Sequence, residues 1–127
     1  MANLTTLTGN LTRDPDLRYS GDGAAACHFG IAVDRRWKDK VSGDWREETS
    51  FFDVVCWRDL AEHVAMSLPK GARVLVAGRL EQRTWQSEDG ATRSRVELVA
   101  DEVAASLRYR PLEVPAPQRE HEGEPAF

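Results

Sequence analysis

Arg58-Asp59-Leu60-Ala61-Glu62-His63-Val64-Ala65-Met66-Ser67-Leu68, followed by Pro69-Lys70-Gly71, is the one stretch of the chain that breaks a pattern of strands and loops. Leu60, Val64 and Leu68 recur at i, i+4 and i+8, which is a single stripe on a helix. Asp59, with Glu62 three residues on, has the form of an N-cap and its capping-box partner. Pro69 and Gly71 stop the helix. The residues just before it alternate: Phe51 and Trp57 share one strand face, while Phe52, Val54 and Cys56 lie on the other and read as core or subunit contact. This third strand runs from about Arg46 to Trp57, after a loop at Asp39-Lys40-Val41-Ser42-Gly43-Asp44.

Further out on both sides the period stays at two. Residues 4–11 are rich in threonine and leucine and read as a first strand. Asp14-Pro15-Asp16 and Gly21-Asp22-Gly23 carry turn chemistry. In the second strand, residues 24–33, Cys27, Phe29, Ile31 and Val33 form a thick face and Ala26, His28, Gly30 and Ala32 a thin one. After the helix, Ala72, Val74, Val76, Gly78 and Leu80 face one way and Arg73, Arg79, Arg83 and Trp85 the other. Ser87-Glu88-Asp89-Gly90 is a hairpin tip. The return strand, about 92–101, turns Val96, Leu98 and Ala100 inward and Arg93 and Arg95 outward. Three strands, a short helix and two strands match an all-β, five-stranded Greek-key barrel, the OB-fold, with its helix between strands 3 and 4. The domain is expected at residues 1–110. A short disordered acidic tail is expected at 111–127, where Pro115-Ala116-Pro117-Gln118 is too polar and Pro-rich to pack.

A chain of 127 residues is one domain by length. No apolar run approaches the roughly 20 residues of a membrane helix. Met1-Ala2-Asn3-Leu4-Thr5 lacks the basic and apolar regions of a signal peptide, so a cytoplasmic location is expected. Cys27 and Cys56 both fall on inward faces; two free thiols are expected, with a bridge as the alternative. The formal net charge of −4 argues at first against a nucleic-acid partner. Much of that acidity, however, sits in Glu113, Glu120, Glu122 and Glu124, opposed only by Arg119. The body is nearly neutral, and local potential rather than total charge governs a polyanion. Fourteen of the 17 basic residues are arginines. Arginine suits phosphate forks and stacking on flat rings, although Arg-rich codon usage gives the same excess.

The four tryptophans keep cationic company. Trp37 follows Arg35-Arg36 and precedes Lys38; Trp45 precedes Arg46; Trp57 precedes Arg58; Trp85 shares a face with Arg79 and Arg83. Trp45 is the weakest of the set, since packing on its own loop explains it equally well. A single nucleic-acid strand offers flat base faces and one charge per nucleotide, which is what exposed rings beside cations engage without regard to sequence. A duplex hides its base faces, and a duplex reader needs a helix equipped for the groove. The candidate stacking rings are Trp37, Phe51, Trp57 and Trp85. The candidate backbone contacts are Arg35, Arg36, Lys38, Arg73, Arg79, Arg83, Arg93 and Arg95.

Catalysis finds no support. His28, His63 and His121 are isolated, with no metal-ligand spacing. Neither a phosphate-cradling Gly-rich loop nor a nucleophile elbow is present. No enzyme, no cofactor and no metal are expected.

Gly9-Asn10-Leu11-Thr12-Arg13-Asp14-Pro15-Asp16-Leu17-Arg18-Tyr19 closely resembles the opening signature of bacterial single-stranded DNA-binding proteins. So do Phe29-Gly30-Ile31-Ala32-Val33, Trp37-Lys38-Asp39-Lys40, Glu48-Thr49, Val54 through Glu62, Lys70-Gly71-Ala72-Arg73-Val74 and Gly78-Arg79-Leu80, over about residues 1–107. The resemblance implies an OB-fold homotetramer that wraps single-stranded DNA in replication, recombination and repair, with no enzymatic activity. It also implies stacking roles at Trp37, Phe51, Trp57 and Trp85; here Phe51 stands for a family tryptophan and Trp57 for a phenylalanine. Family tails end in an acidic tip with Pro-Phe that docks on replication and repair enzymes. The candidate counterparts are Glu122, Glu124, Pro125 and Phe127, with Ala126 interposed and the glutamates spaced, so altered docking is expected. The short linker points to a secondary paralogue beside a longer housekeeping protein. The alternative function is an OB-fold protein-interaction module of a replication or conjugation assembly with weak nucleic-acid contact.

Overall fold

The computed structural model describes residues 2–116. Its elements are β1 (Thr5–Leu11), β2 (Asp16–Tyr19), β3 (Ala25–Lys38), β4 (Trp45–Trp57), α1 (Arg58–Ser67), β5 (Arg73–Gln86) and β6 (Thr92–Ala105). β1 pairs antiparallel with β5 along its length, then crosses to β3 at Asn10↔Ala32 and Leu11↔Ile31. That crossing closes the order β1-β5-β6-β4-β3 into a five-stranded barrel. β4 and β6 supply its parallel pair, Asp53↔Glu97 to Val55↔Val99. The architecture is the expected one, with α1 between the third and fourth barrel strands.

Three local expectations are corrected. Asp16 is not turn but the start of β2, a short extra strand laid along β3 outside the barrel. β3 does not stop near Val33; it runs on to Lys38, held by an unbroken ladder to β4 from Ala26↔Trp57 to Lys38↔Trp45. Asp59 is not the N-cap. β4 leads straight into α1, so Trp57 holds the cap position in extended geometry without a side-chain cap bond, and Asp59 sits in the first turn. A carboxylate there still favours the positive end of the helix dipole. Arg58 turns the corner with φ 61°, a left-handed conformation uncommon for a residue with a Cβ.

The core lies inside the barrel and is aliphatic apart from Phe29, Cys27 and Cys56. Ile31, Val54, Val74, Val76 and Leu98 surround Phe29, and Ala61 and Val64 of α1 plug one end with Leu60 and Leu68 packed beside them. The helical stripe read from sequence therefore does face inward. Two glycines permit the closure. A Cβ on Gly9 would overlap the Ala32 carbonyl oxygen where β1 crosses to β3, and one on Gly78 would overlap the Val99 carbonyl oxygen. Beside Gly78, β6 slips register, with Gly78 opposite Ala100 but Ala77 opposite Glu102. The unpaired Asp101 is a bulge, and the inward phase of β6 moves from Ala100 to Val103.

Cys27 and Cys56 are opposite each other across β3 and β4, fully buried and unbridged. Burial pushes both thiols up, Cys56 to about 12.

Candidate nucleic-acid interface

Both long hairpins outrun the barrel. On β4, residues 45–52 are all exposed, and on β5, residues 79–86. These segments are arms that stand clear of the core. Val96 on the β6 arm, expected inside, is exposed for this reason; Phe52, read as core or subunit contact, does not join the core and lines a groove with Leu7, Val33, Arg35 and Ser50. Their faces were read correctly, but no opposing strand exists at that height to cover them.

Strand alternation sorts the arms into two faces. On β4, Phe51 and Trp57 point away from the core, because Val54 and Cys56 point into it. Asp53 shares the outward phase and pairs with Glu97 of β6. Glu97 is opposite Glu81 on β5, which places Arg79, Arg83, Trp85, Arg93 and Arg95 on that same outward face. The structure thus brings Phe51, Trp57, Trp85 and those four arginines onto one surface. Trp37 is not with them. It continues the inward phase of Phe29, Ile31 and Val33, and so lies on the other face of the β3–β4 arm with Arg35. Arg36 and Lys38 take the outward phase, beside Trp45. Arg73 shares the strand face of Arg79 but lies at the far end of β5, 5.0 Å from the centroid of the Tyr109 ring.

The rings are open to solvent: Phe51 is 71% exposed, Trp45 64%, Trp85 45%, Trp57 44% and Trp37 37%. Three of them carry a guanidinium over one face. Arg35 lies 4.5 Å from the Trp37 centroid, Arg36 5.2 Å from Trp45 and Arg95 5.7 Å from Trp85. At exposed sites such pairs are worth about 0.5–1 kcal/mol each. A cation on one side of a ring leaves the other side free for a flat partner and presents positive charge at its rim. For Trp37 the cation noted in the sequence is in direct contact; for Trp45 and Trp85 the contacting cation is a different arginine, Arg36 and Arg95, brought across from the neighbouring strand. Trp57 has no such partner among the described residues.

A cleft of about 360 Å³ is lined by Arg13, Arg18, Arg95, His28, Asp16, Asp53 and Glu97. Sequence reasoning missed Arg13 and Arg18, having treated that segment as a turn. β2 lays Arg18 along β3, and Gly30 makes room for Arg13, whose guanidinium occupies space that a Cβ would need. The available signal was the pair of arginines flanking Asp14-Pro15-Asp16. Several cations are tethered: Arg83 to buried Glu97 at 3.4 Å, Arg79 to Glu81 at 2.7 Å, Arg93 to Asp89 at 3.7 Å and Arg35 to Glu48 at 3.6 Å. The three pairs exposed on both sides, those of Arg79, Arg93 and Arg35, are worth at most about 1 kcal/mol, so a phosphate can compete for these cations. Among the described residues, Arg36, Lys38 and Arg95 have no ion pair.

The arm tips are held by short polar turns. Asp39 accepts from the Val41 and Ser42 amides and so stays below the ordinary carboxylate range. Asp89 is lowered likewise by the Ser87 hydroxyl and then the Ala91 amide. Among the described residues no group of three His, Cys, Asp or Glu side chains could hold a metal ion. No helix there is long and apolar enough to cross a membrane. Glu122, Glu124, Pro125 and Phe127 lie outside the described residues.

Comparison with known proteins agrees with this geometry. The single-stranded DNA-binding protein of Paenarthrobacter aurescens is 45% identical over 94% of this chain and 71% of its own length. That of Mycobacterium leprae (strain TN) is 46% identical over 90% and 70%. The solved structure described as Plasmodium falciparum SSB complex with ssDNA superposes with a TM-score of 0.78 at 21% identity, covering 84% of this chain and 96% of that one, which shows a common fold. A model of the single-strand binding protein family matches residues 2–106, which include every strand and the helix of the barrel, and the chain belongs to that family.

Proposed function

We propose that the chain binds single-stranded DNA without reading its sequence, by stacking bases on exposed rings and drawing phosphates to nearby cations. The observation that carries this reading is the set of solvent-open rings that the barrel does not need for its core, Trp37, Phe51 and Trp85 on the arms and Trp57 where β4 meets α1. Phe51, Trp57 and Trp85 take bases on the outward face, and Trp37 takes one where the strand bends around the β3–β4 arm. Arg79, Arg83, Arg93 and Arg95 follow the backbone there, as do Arg35, Arg36 and Lys38 along the arm. Arg13 and Arg18 join them in the cleft. Arg73, beneath Tyr109, serves only if the strand passes the far end of β5.

The physics is passive. Stacking is worth about 1–3 kcal/mol per base and is available to any base, because each has a π-face. Holding the strand unpaired prevents hairpins and denies it to nucleases. The protein acts as a binding partner in replication, recombination and repair, not as an enzyme, and works at the nucleoid in the cytoplasm as a homotetramer. The apolar groove of Leu7, Val33 and Phe52 is a surface that another copy would cover. Barrel and tail divide at about residue 110. The acidic tip at Glu122, Glu124, Pro125 and Phe127 docks on replication and repair enzymes and competes with DNA for the basic face. Deleting residues 113–127 is then expected to tighten binding at low salt.

The test is a titration with oligo(dT) at two salt concentrations, following tryptophan emission, with mass measured by light scattering. Strong quenching is expected, with log K falling against log salt by about 0.7 per phosphate neutralised. A flat titration would favour the protein-interaction module instead. Competition between poly(U) and poly(dT) distinguishes an RNA-binding domain, and plasmid incubated with magnesium should stay intact.

A further inference from the structure

In the sequence Trp45 is the weakest of the four tryptophans as a stacking ring, because packing on its own loop explains it equally well. The structure gives it no such packing: it is 64% exposed and stands at the first position of β4. Trp45, Phe51 and Trp57 are spaced by six residues on one strand, so all three share the outward face. The ladder from Lys38↔Trp45 to Ala26↔Trp57 has no register break that would change this phase. Arg36 lies over the Trp45 ring at 5.2 Å, and Lys38 is its direct cross-strand neighbour. Neither has an ion pair among the described residues. Two carboxylates share this face. Asp34 accepts from the Thr49 hydroxyl at 2.7 Å, and Glu47 is opposite Arg36 in register without closing on it. On the other face of the arm the cations are engaged, Arg35 with Glu48 and Arg46 with Asp39.

From these observations, and resting on the single-strand reading above, we propose that Trp45, with Arg36 and Lys38, is an outer stacking station for single-stranded DNA at the tip of the β3–β4 arm. At about 3.3 Å per residue, the six residues from Phe51 carry it roughly 20 Å further out. That distance is roughly six nucleotides at the 3.4 Å stacked rise of one strand. The arm therefore lengthens the stretch of DNA each subunit covers, and a short oligonucleotide held at Trp57 and Phe51 does not reach it.

Two single-tryptophan proteins test this. One keeps only Trp45 (Trp37→Phe, Trp57→Phe, Trp85→Phe); the other keeps only Trp57 (Trp37→Phe, Trp45→Phe, Trp85→Phe). Each is titrated with a (dT) oligomer of about 35 nucleotides, a length well above the roughly 4–16 covered by one OB-fold. Quenching of both is expected. Quenching of the Trp57 protein with no change in the Trp45 protein overturns the proposal and leaves the main interface standing. No change in either removes the main interface and Trp45 with it. In parallel, Trp45→Ala should weaken binding of the long oligomer by about five- to 150-fold, the value of one stacked base, and Trp45→Phe should restore most of it. A fall in assembly mass by light scattering in Trp45→Ala would place the ring in a contact between copies and would also overturn the proposal.

Discussion

The same two strands, β3 and β4, behave differently in their two halves. Near α1, every second side chain is sealed: Cys27, Phe29 and Ile31 face Cys56, Val54 and α1. Toward the tip, the alternation continues but nothing is buried, and the positions are filled by Trp37, Trp45, Phe51, arginines and glutamates. One half supplies fold stability and the other an accessible surface. The lesson is that β-pairing and the polar turns at the tips hold the arms without a buried core, so most of their side chains are free to be chosen for a ligand. β5 and β6 repeat the division, with Val74, Val76 and Leu98 in the barrel and Trp85, Arg83 and Arg95 on the arm.

Substitutions on the two sides should separate stability from binding. Phe29→Ala, in the sealed half, is expected to cost about 3–5 kcal/mol of unfolding free energy, measured by urea titration. An unchanged midpoint would mean that the core lies elsewhere. Trp57→Ala, on the outward face where β4 meets α1, should lose about 1–3 kcal/mol of oligo(dT) affinity while circular dichroism shows a folded barrel. Unfolding instead would make that ring part of the core. Arg95→Ala, on the β6 arm, should lower the salt slope of binding by about 0.7 with little effect on thermal stability.

The remaining effect concerns pH. The Cys56 thiol is pushed from 9.0 up to about 12 by burial, so the folded state keeps a proton that the unfolded chain has lost. This contribution to stability is intact below pH 9 and declines as pH rises from 9 toward 12. Cys56→Ala should flatten the pH dependence of unfolding in that window. The arm substitutions should leave it as it is.

Much of this division could be read from sequence, but not its edge. The period of two identified the faces of β3, β4 and β5, and the leucine–valine stripe identified α1. Alternation, however, runs through barrel and arm alike, so Val96 reads as internal and Phe52 as core or subunit contact; the absence of a covering strand in the fold removes Val96 and Phe52 from the core. Trp37 was grouped with Phe51 by its charged neighbours, whereas its phase with Val33 places it on the opposite face of the arm. Arg13 and Arg18 were passed over because a Pro-containing turn hid β2 and the cleft it builds. Arg73 was included because it shares parity with Arg79, and parity does not say how far along a strand two residues lie. Trp45 was discounted because a ring beside a loop has an ordinary explanation until its exposure is known.

The most direct test of the division is acrylamide access to the tryptophans, measured by emission with and without saturating oligo(dT). Rings on open arms should be quenched efficiently in the free protein and shielded when DNA is bound. Tryptophans already closed to acrylamide in the free protein, or equally accessible in both states, would contradict the account.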